Sequence, residues 1–249
     1  MTAAKAKPQG PTKAAIIREL RSLATKDTTK MAVKRRVPTK QLLGVSTGEI
    51  RNLAKRLGEN AIVAEQLWNE PIHELRLLAI LMFPADRLTT PQLNRWVRKI
   101  DSWGLCDKFA KILAVKSSEA IALIAQWSSS EQLYIRRAGL ALLANYCMKA
   151  RELDQSLLEA WRPLITETSR DDRPHVRQAC CWALRELGKI NDNTHDHAIT
   201  LALELIDSGT RDQAWVGRCA HKELETLTKV PQRRRLISAN SKTGRKQSV

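Results

Sequence analysis

From Thr12 onward, apolar residues recur at intervals of three and four, and alternating runs of β-branched residues are scarce. This period predicts helices near residues 12–26, 47–57, 60–69, 71–83, 91–99, 103–115, 117–127, 131–148, 154–166, 173–189, 195–207 and 212–228. Pro71, Pro91 and Pro174 stand where a first helical turn would begin, a place where a missing N–H does no harm. Asp171 and Asp172, just before Pro174, offer a cap and a favourable charge at that helix start. Residues 1–11 are rich in Ala, Lys, Pro and Gly and predict a flexible basic arm. From Pro231 the periodicity stops, and residues 231–249 predict a disordered basic tail. The expected organisation is one all-α domain over 12–230 between these two ends.

The later helices repeat one another. Ile135-Arg136-Arg137-Ala138, Val176-Arg177-Gln178-Ala179 and Val216-Gly217-Arg218-Cys219 lie 41 and 40 residues apart, and Leu75-Arg76-Leu77-Leu78-Ala79 is a less regular copy. Helix pairs at a period near 40 residues are the signature of HEAT and armadillo arrays. The predicted fold is therefore an α-α superhelix of HEAT-like repeats, with one helix of each pair on a concave side. With Ile135, Val176 and Val216 as position zero, position two holds Arg137, Gln178 and Arg218. Position six holds Ala141, Trp182 and Lys222, and position eight holds Leu143, Leu184 and Leu224. Positions two and six share a helical stripe apart from the core positions, so Arg137, Trp182, Arg218 and Lys222 are expected to line one surface.

Charge narrows the partner. The net charge is +16, yet residues 61–228 are close to neutral. Residues 1–60 carry fourteen Lys and Arg against four acids, and residues 229–249 carry seven and no acid. Clustered basic charge of this size is the electrostatic footprint of a nucleic-acid binder. Seven of the eleven aromatic residues are Trp, which suggests that some serve at a surface. Trp68, Trp96, Trp127, Trp161 and Trp215 have apolar neighbours at helical spacing and are expected in the core. The five Cys are odd in number and form no CxxC pair, which predicts small buried thiols in a reducing compartment. His195-Asp196-His197 lacks a third ligand and reads as an exposed helix start, so no metal is expected. There is no glycine-rich phosphate loop, no signal-peptide core and no apolar run of membrane-spanning length. A soluble cytoplasmic monomer without a cofactor, and nucleoid-associated when bound to DNA, is the expectation.

Candidate chemistry gathers at Ile100–Asp107. Trp103 and Asp107 are four apart and share a helical face, with Asp101 and Ser102 as caps. A solvated carboxylate beside Lys108 or Lys111, with a core Trp103, is the plain alternative. Four pieces resemble the DNA alkylation-repair glycosylases of the AlkD type. They are Gly44-Val45-Ser46-Thr47-Gly48-Glu49-Ile50-Arg51, the Trp103/Asp107 pair, Tyr134-Ile135-Arg136-Arg137-Ala138, and Cys181-Trp182-Ala183-Leu184-Arg185-Glu186. The resemblance runs from about residue 12 to 228 and departs from the family pattern at Tyr134, where Trp is expected, and at Cys180-Cys181.

The resemblance implies an enzyme that hydrolyses the N-glycosidic bond of cationic N3- or N7-alkylated purines in duplex DNA. It assigns Asp107 to stabilising the cationic sugar and orienting water, Trp103 and Trp182 to cradling the deoxyribose, and Arg137 to the DNA backbone. It further implies a lesion held against the concave surface, with no need for the base to be extruded. A cationic purine is already a good leaving group, so one carboxylate without a general acid is chemically coherent. Gln178, Arg218 and Lys222 join Arg137 as expected DNA contacts by their place in the repeat. Two other readings stay open: a HEAT-like protein that binds DNA structures without cleavage, and a protein-binding scaffold. Retention of the carboxylate disfavours the first, and basic ends disfavour the second.

Overall fold

A computed structural model describes residues 12–28 and 42–245. The expected arm, residues 1–11, lies outside the described residues, as do residues 246–249 of the expected tail. The regular elements among the described residues are helices apart from one hairpin of two-residue strands. In chain order the helices are α1 (Lys13–Ser22), α2 (Thr47–Leu57), α3 (Ala61–Trp68), α4 (His73–Met82), α5 (Thr90–Val97) and α6 (Trp103–Ile112). They continue as α7 (Ala120–Ser128), α8 (Leu133–Lys149), α9 (Gln155–Thr168), α10 (Pro174–Leu187), α11 (Asp192–Asp207) and α12 (Arg211–Leu224). Strands β1 (Leu227–Thr228) and β2 (Ile237–Ser238) pair antiparallel. The described residues divide into two compact units, one up to Trp96 and one from Val97.

In the first unit α4 packs on α2 and α3, and α1 lies on α3. Ser46 and Glu49 form a reciprocal capping box that starts α2, and Asn60 caps α3. The turn before α2 is held by a buried carboxylate. Glu74 accepts backbone N–H bonds from Leu43, Gly44 and Val45, and Gly44 adopts a φ of 87° that suits glycine. The Gly44-Val45 turn is thus tied to the first turn of α4. Trp68 and Trp96 stack at 4.5 Å, Phe83 meets Trp96 edge-on, and the Trp96 indole N–H donates to Glu65 at 2.9 Å.

The second unit is a two-layer stack. α8, α10 and α12 form one layer, each against the next, and α7 and α11 pack on α8 and α12 respectively. The helix pairs expected from the 40-residue period are these. The repeat also fixes side-chain contacts. Arg136 donates Nε to the carbonyl of Ser130, six residues back, as Arg76 does to that of Glu70 in the first unit. Each satisfies a loop carbonyl just past the end of the preceding helix. Arg136 also pairs with Asp171, and Arg177 with Asp212, each 35 residues ahead. Trp127 packs on Phe109 and Trp161 on Tyr146.

Three expectations are corrected. First, residues 231–245 are folded. Val230 and Leu236 are buried, the Leu236 N–H donates to the Lys189 carbonyl, and Arg235 pairs with buried Glu186 at 2.8 Å. The segment is polar and basic, but Glu186 needs cations and Leu236 needs cover, so part of the charge is used internally. Second, Trp215 is 36% exposed rather than in the core, with the Arg177 guanidinium 5.1 Å from its ring centroid. Third, Cys181 and Cys219 form a disulfide joining α10 to α12, whereas Cys106, Cys147 and Cys180 are buried thiols. They stand 38 residues apart, close to one repeat, which puts them near one level of neighbouring helices. No described helix is long and apolar enough to cross a membrane.

Candidate active site and nucleic-acid interface

α6 presents the carboxylate. Ser102 is its N-cap residue and is buried, although its hydroxyl makes no capping bond. Leu105, Cys106, Phe109 and Ala110 are buried, which turns the other side of the helix, with Trp103 and Asp107, toward partial exposure. Trp103 is 36% exposed at the first turn, and Asp107 follows one turn later with 26% of its side chain exposed. The carboxylate faces α8. Arg137 Nε and Nη2 donate to Asp107 Oδ1 at 3.2 and 2.9 Å, and Nη2 also reaches Oδ2 at 2.9 Å. Arg137 Nη1 donates to the His175 carbonyl on α10 at 2.6 Å. One guanidinium therefore ties α6, α8 and α10 together.

Arg137 was expected on a DNA phosphate; here its donors are engaged within the protein. Its side chain is 6% exposed and its donors point at Asp107 and His175. Ala141, one turn on, is buried as well. The repeat stripe predicts outward placement only for a helix with a bare face, and α6 packs across α8 at this stripe. On α10 and α12 the stripe is open to solvent at Gln178, Arg218 and Lys222, and Trp182 is half-buried. Trp182 lies two turns, roughly 10 Å, along α10 from His175. The structure thus brings together Asp107, Arg137 and the His175 backbone, with one indole on α6 and the other farther along α10.

Electrostatics follow from this packing. Burial pushes the Asp107 carboxyl above its ordinary value, and the Arg137 guanidinium opposes that rise. Burial raises the neighbouring Cys106 thiol as well, so it is no nucleophile at neutral pH. A carboxylate has about four acceptor positions. Arg137 takes two at Oδ1 and one at Oδ2, which leaves Oδ2 able to hold a water. The site can therefore offer an oriented negative charge and a positioned water beside an exposed indole. No cluster of three or more potential metal ligands occurs among the described residues, and His195 Nε2 lies 3.1 Å from the Leu224 carbonyl.

The sequence reading missed one series. The residue before each repeat's position zero is Tyr134, His175 and Trp215, an aromatic ring in each of the three later repeats. Tyr134 and His175 rings lie 6.2 Å apart. The same alignment that picked out the basic stripe carried this signal.

A family model for DNA alkylation repair enzymes matches residues 16–224. The chain belongs to the DNA alkylation repair enzyme family. A search of characterised proteins by sequence returned no significant match. One solved structure covers 96% of this chain and 94% of its own at a TM-score of 0.69 and 16% identity. It is described as a new family of proteins related to the HEAT-like repeat DNA glycosylases with affinity for branched DNA structures. The likeness establishes a HEAT-like helical fold for the family member described here. An engineered protein is also similar, at 14% identity over 84% of this chain and 98% of its own, with a TM-score of 0.35.

Proposed function

We propose that this protein is a DNA glycosylase that releases cationic N3- and N7-alkylated purines from duplex DNA. The observation that carries the proposal is the Asp107 carboxylate, partly open to solvent and fixed in direction by Arg137. As the glycosidic bond lengthens, positive charge grows on the deoxyribose. Asp107 opposes it with a fixed negative charge, and the free position on Oδ2 orients the attacking water. Trp103 and Trp182 supply indole faces for the sugar, each worth roughly 0.5–2 kcal/mol toward a cation. Arg137 acts as a positioning residue, and the phosphates fall to Gln178, Arg218 and Lys222, which are exposed. A base that leaves without prior protonation needs no second carboxylate.

The test is release of free 7-methylguanine and 3-methyladenine from methylated duplex DNA. The wild type is expected to release them, and Asp107→Asn to be slower by about 100- to 1000-fold. A second reading is binding of branched DNA without cleavage. It is favoured by the described affinity of the similar solved protein and by a carboxylate whose charge Arg137 already meets. Absence of release by the wild type, with binding to junctions intact, selects this second reading.

A further inference from the structure

Three features of the second unit fall in one series. Tyr134 and His175 are half-buried rings at the start of α8 and α10, 6.2 Å apart. His175 also belongs to the site, because its carbonyl anchors Arg137. The third ring, Trp215, is at the same repeat position on α12 and is more exposed. Arg177, two residues beyond His175, lies over the Trp215 ring and is itself pinned by Asp212. The guanidinium thereby sets a fixed positive charge beside the partly exposed indole. Arg211, Trp215, Arg218 and Lys222 are all exposed on α12. At 100° per residue they fall within roughly 60° of arc, along about 16 Å of helix.

Rings at repeat spacing beside exposed cations are what single-stranded DNA uses: bases stack on the rings, and phosphates follow the charges. We propose that Tyr134, His175 and Trp215, continued by Arg218 and Lys222, form a track for an unpaired DNA strand running away from the Asp107–Arg137 pair. Duplex DNA keeps its bases stacked on one another and cannot use the rings, so the track distinguishes a fork or flap from a blunt duplex. The inference rests on the DNA-binding part of the proposed function and not on base release.

Trp215 is the residue to test, because it touches neither Asp107 nor Arg137. Fluorescence anisotropy of the full chain would compare a blunt duplex with the same duplex carrying a single-stranded arm. Trp215→Ala should weaken binding to the forked DNA about ten-fold and leave the blunt duplex within about two-fold. Trp215→Phe, which keeps a ring, should retain most of the fork affinity and guards against a folding defect. Equal losses on both DNAs, or no loss on the fork, would overturn the track. Failure of the wild type to release alkylated bases, with a Trp215-dependent fork preference intact, would remove the enzyme reading and leave the track standing.

Discussion

Arg137 shows how a residue can be legible when its contacts within the protein are not. Its place in the repeat and the resemblance both singled it out, and both pointed it at DNA. Its direction depends on α6, a helix outside the repeat alignment, which lies over α8 and brings Asp107 to it. Two outcomes separate the roles. Arg218→Ala should lower the slope of log affinity against log salt by about 0.9, one phosphate contact, whereas Arg137→Ala should leave that slope unchanged. An equal fall in both would return Arg137 to the phosphates. The second outcome is a pH profile. On the proposed mechanism Asp107 acts as a carboxylate whose pKa burial raises, so base release should fall as pH drops through a midpoint above the ordinary carboxylate value. Arg137 opposes that rise, so Arg137→Met should move the acid limb of the rate profile to still higher pH. An acid limb that stays in place on this substitution would detach Arg137 from Asp107.

At the level of elements, the hydrophobic period located the described helices well, because each buries a stripe that repeats every three or four residues. Their ends were less legible. α4 begins at His73 rather than Pro71, and α11 begins three residues early because Asn191 and Thr194 form a capping box. Close contacts between helices were not legible at all. A Cβ on Gly139 would meet the Ser128 backbone nitrogen at 2.5 Å, so α8 can approach α7 only with glycine there. Gly139→Ala should therefore cost about 1–3 kcal/mol, visible as a lower thermal midpoint. Asp171 links the repeats. Burial by itself would raise its carboxyl, but hydrogen bonds from Arg173 and Arg136 outweigh burial and hold it below the usual value. A carboxylate with a depressed folded pKa stabilises above its unfolded value, and that stabilisation is lost as pH falls through the folded one. With the Asp171 side chain only 3% exposed, Asp171→Ala should cost about 3 kcal/mol at neutral pH and less in acid. Denaturant titrations at pH 7 and pH 3 check both the size and the sign.

For the whole molecule, charge bookkeeping along the chain found the basic ends but assigned them only to a polyanion. The structure divides the C-terminal charge. Arg235 and Lys189 surround Glu186, while Arg233 and Arg234 are exposed. A chain ending at Lys229 would lose the Arg235 pair and uncover the apolar positions that Leu236 covers. It should melt lower by several degrees in a thermal scan, and an unchanged midpoint would show that the segment only rests on the surface. The fold class was legible because a 40-residue period is written into the sequence. The disulfide and the folded tail were not, because each depends on which helices meet.

The central claim is that one carboxylate on α6 drives loss of a cationic base. Single-turnover release of 7-methylguanine, with enzyme in excess and DNA binding measured in the same samples, tests it most directly. The account predicts release by the wild type, with Asp107→Asn binding the DNA at similar affinity and releasing base at least about 100-fold more slowly. Equal release rates for the two proteins would contradict it.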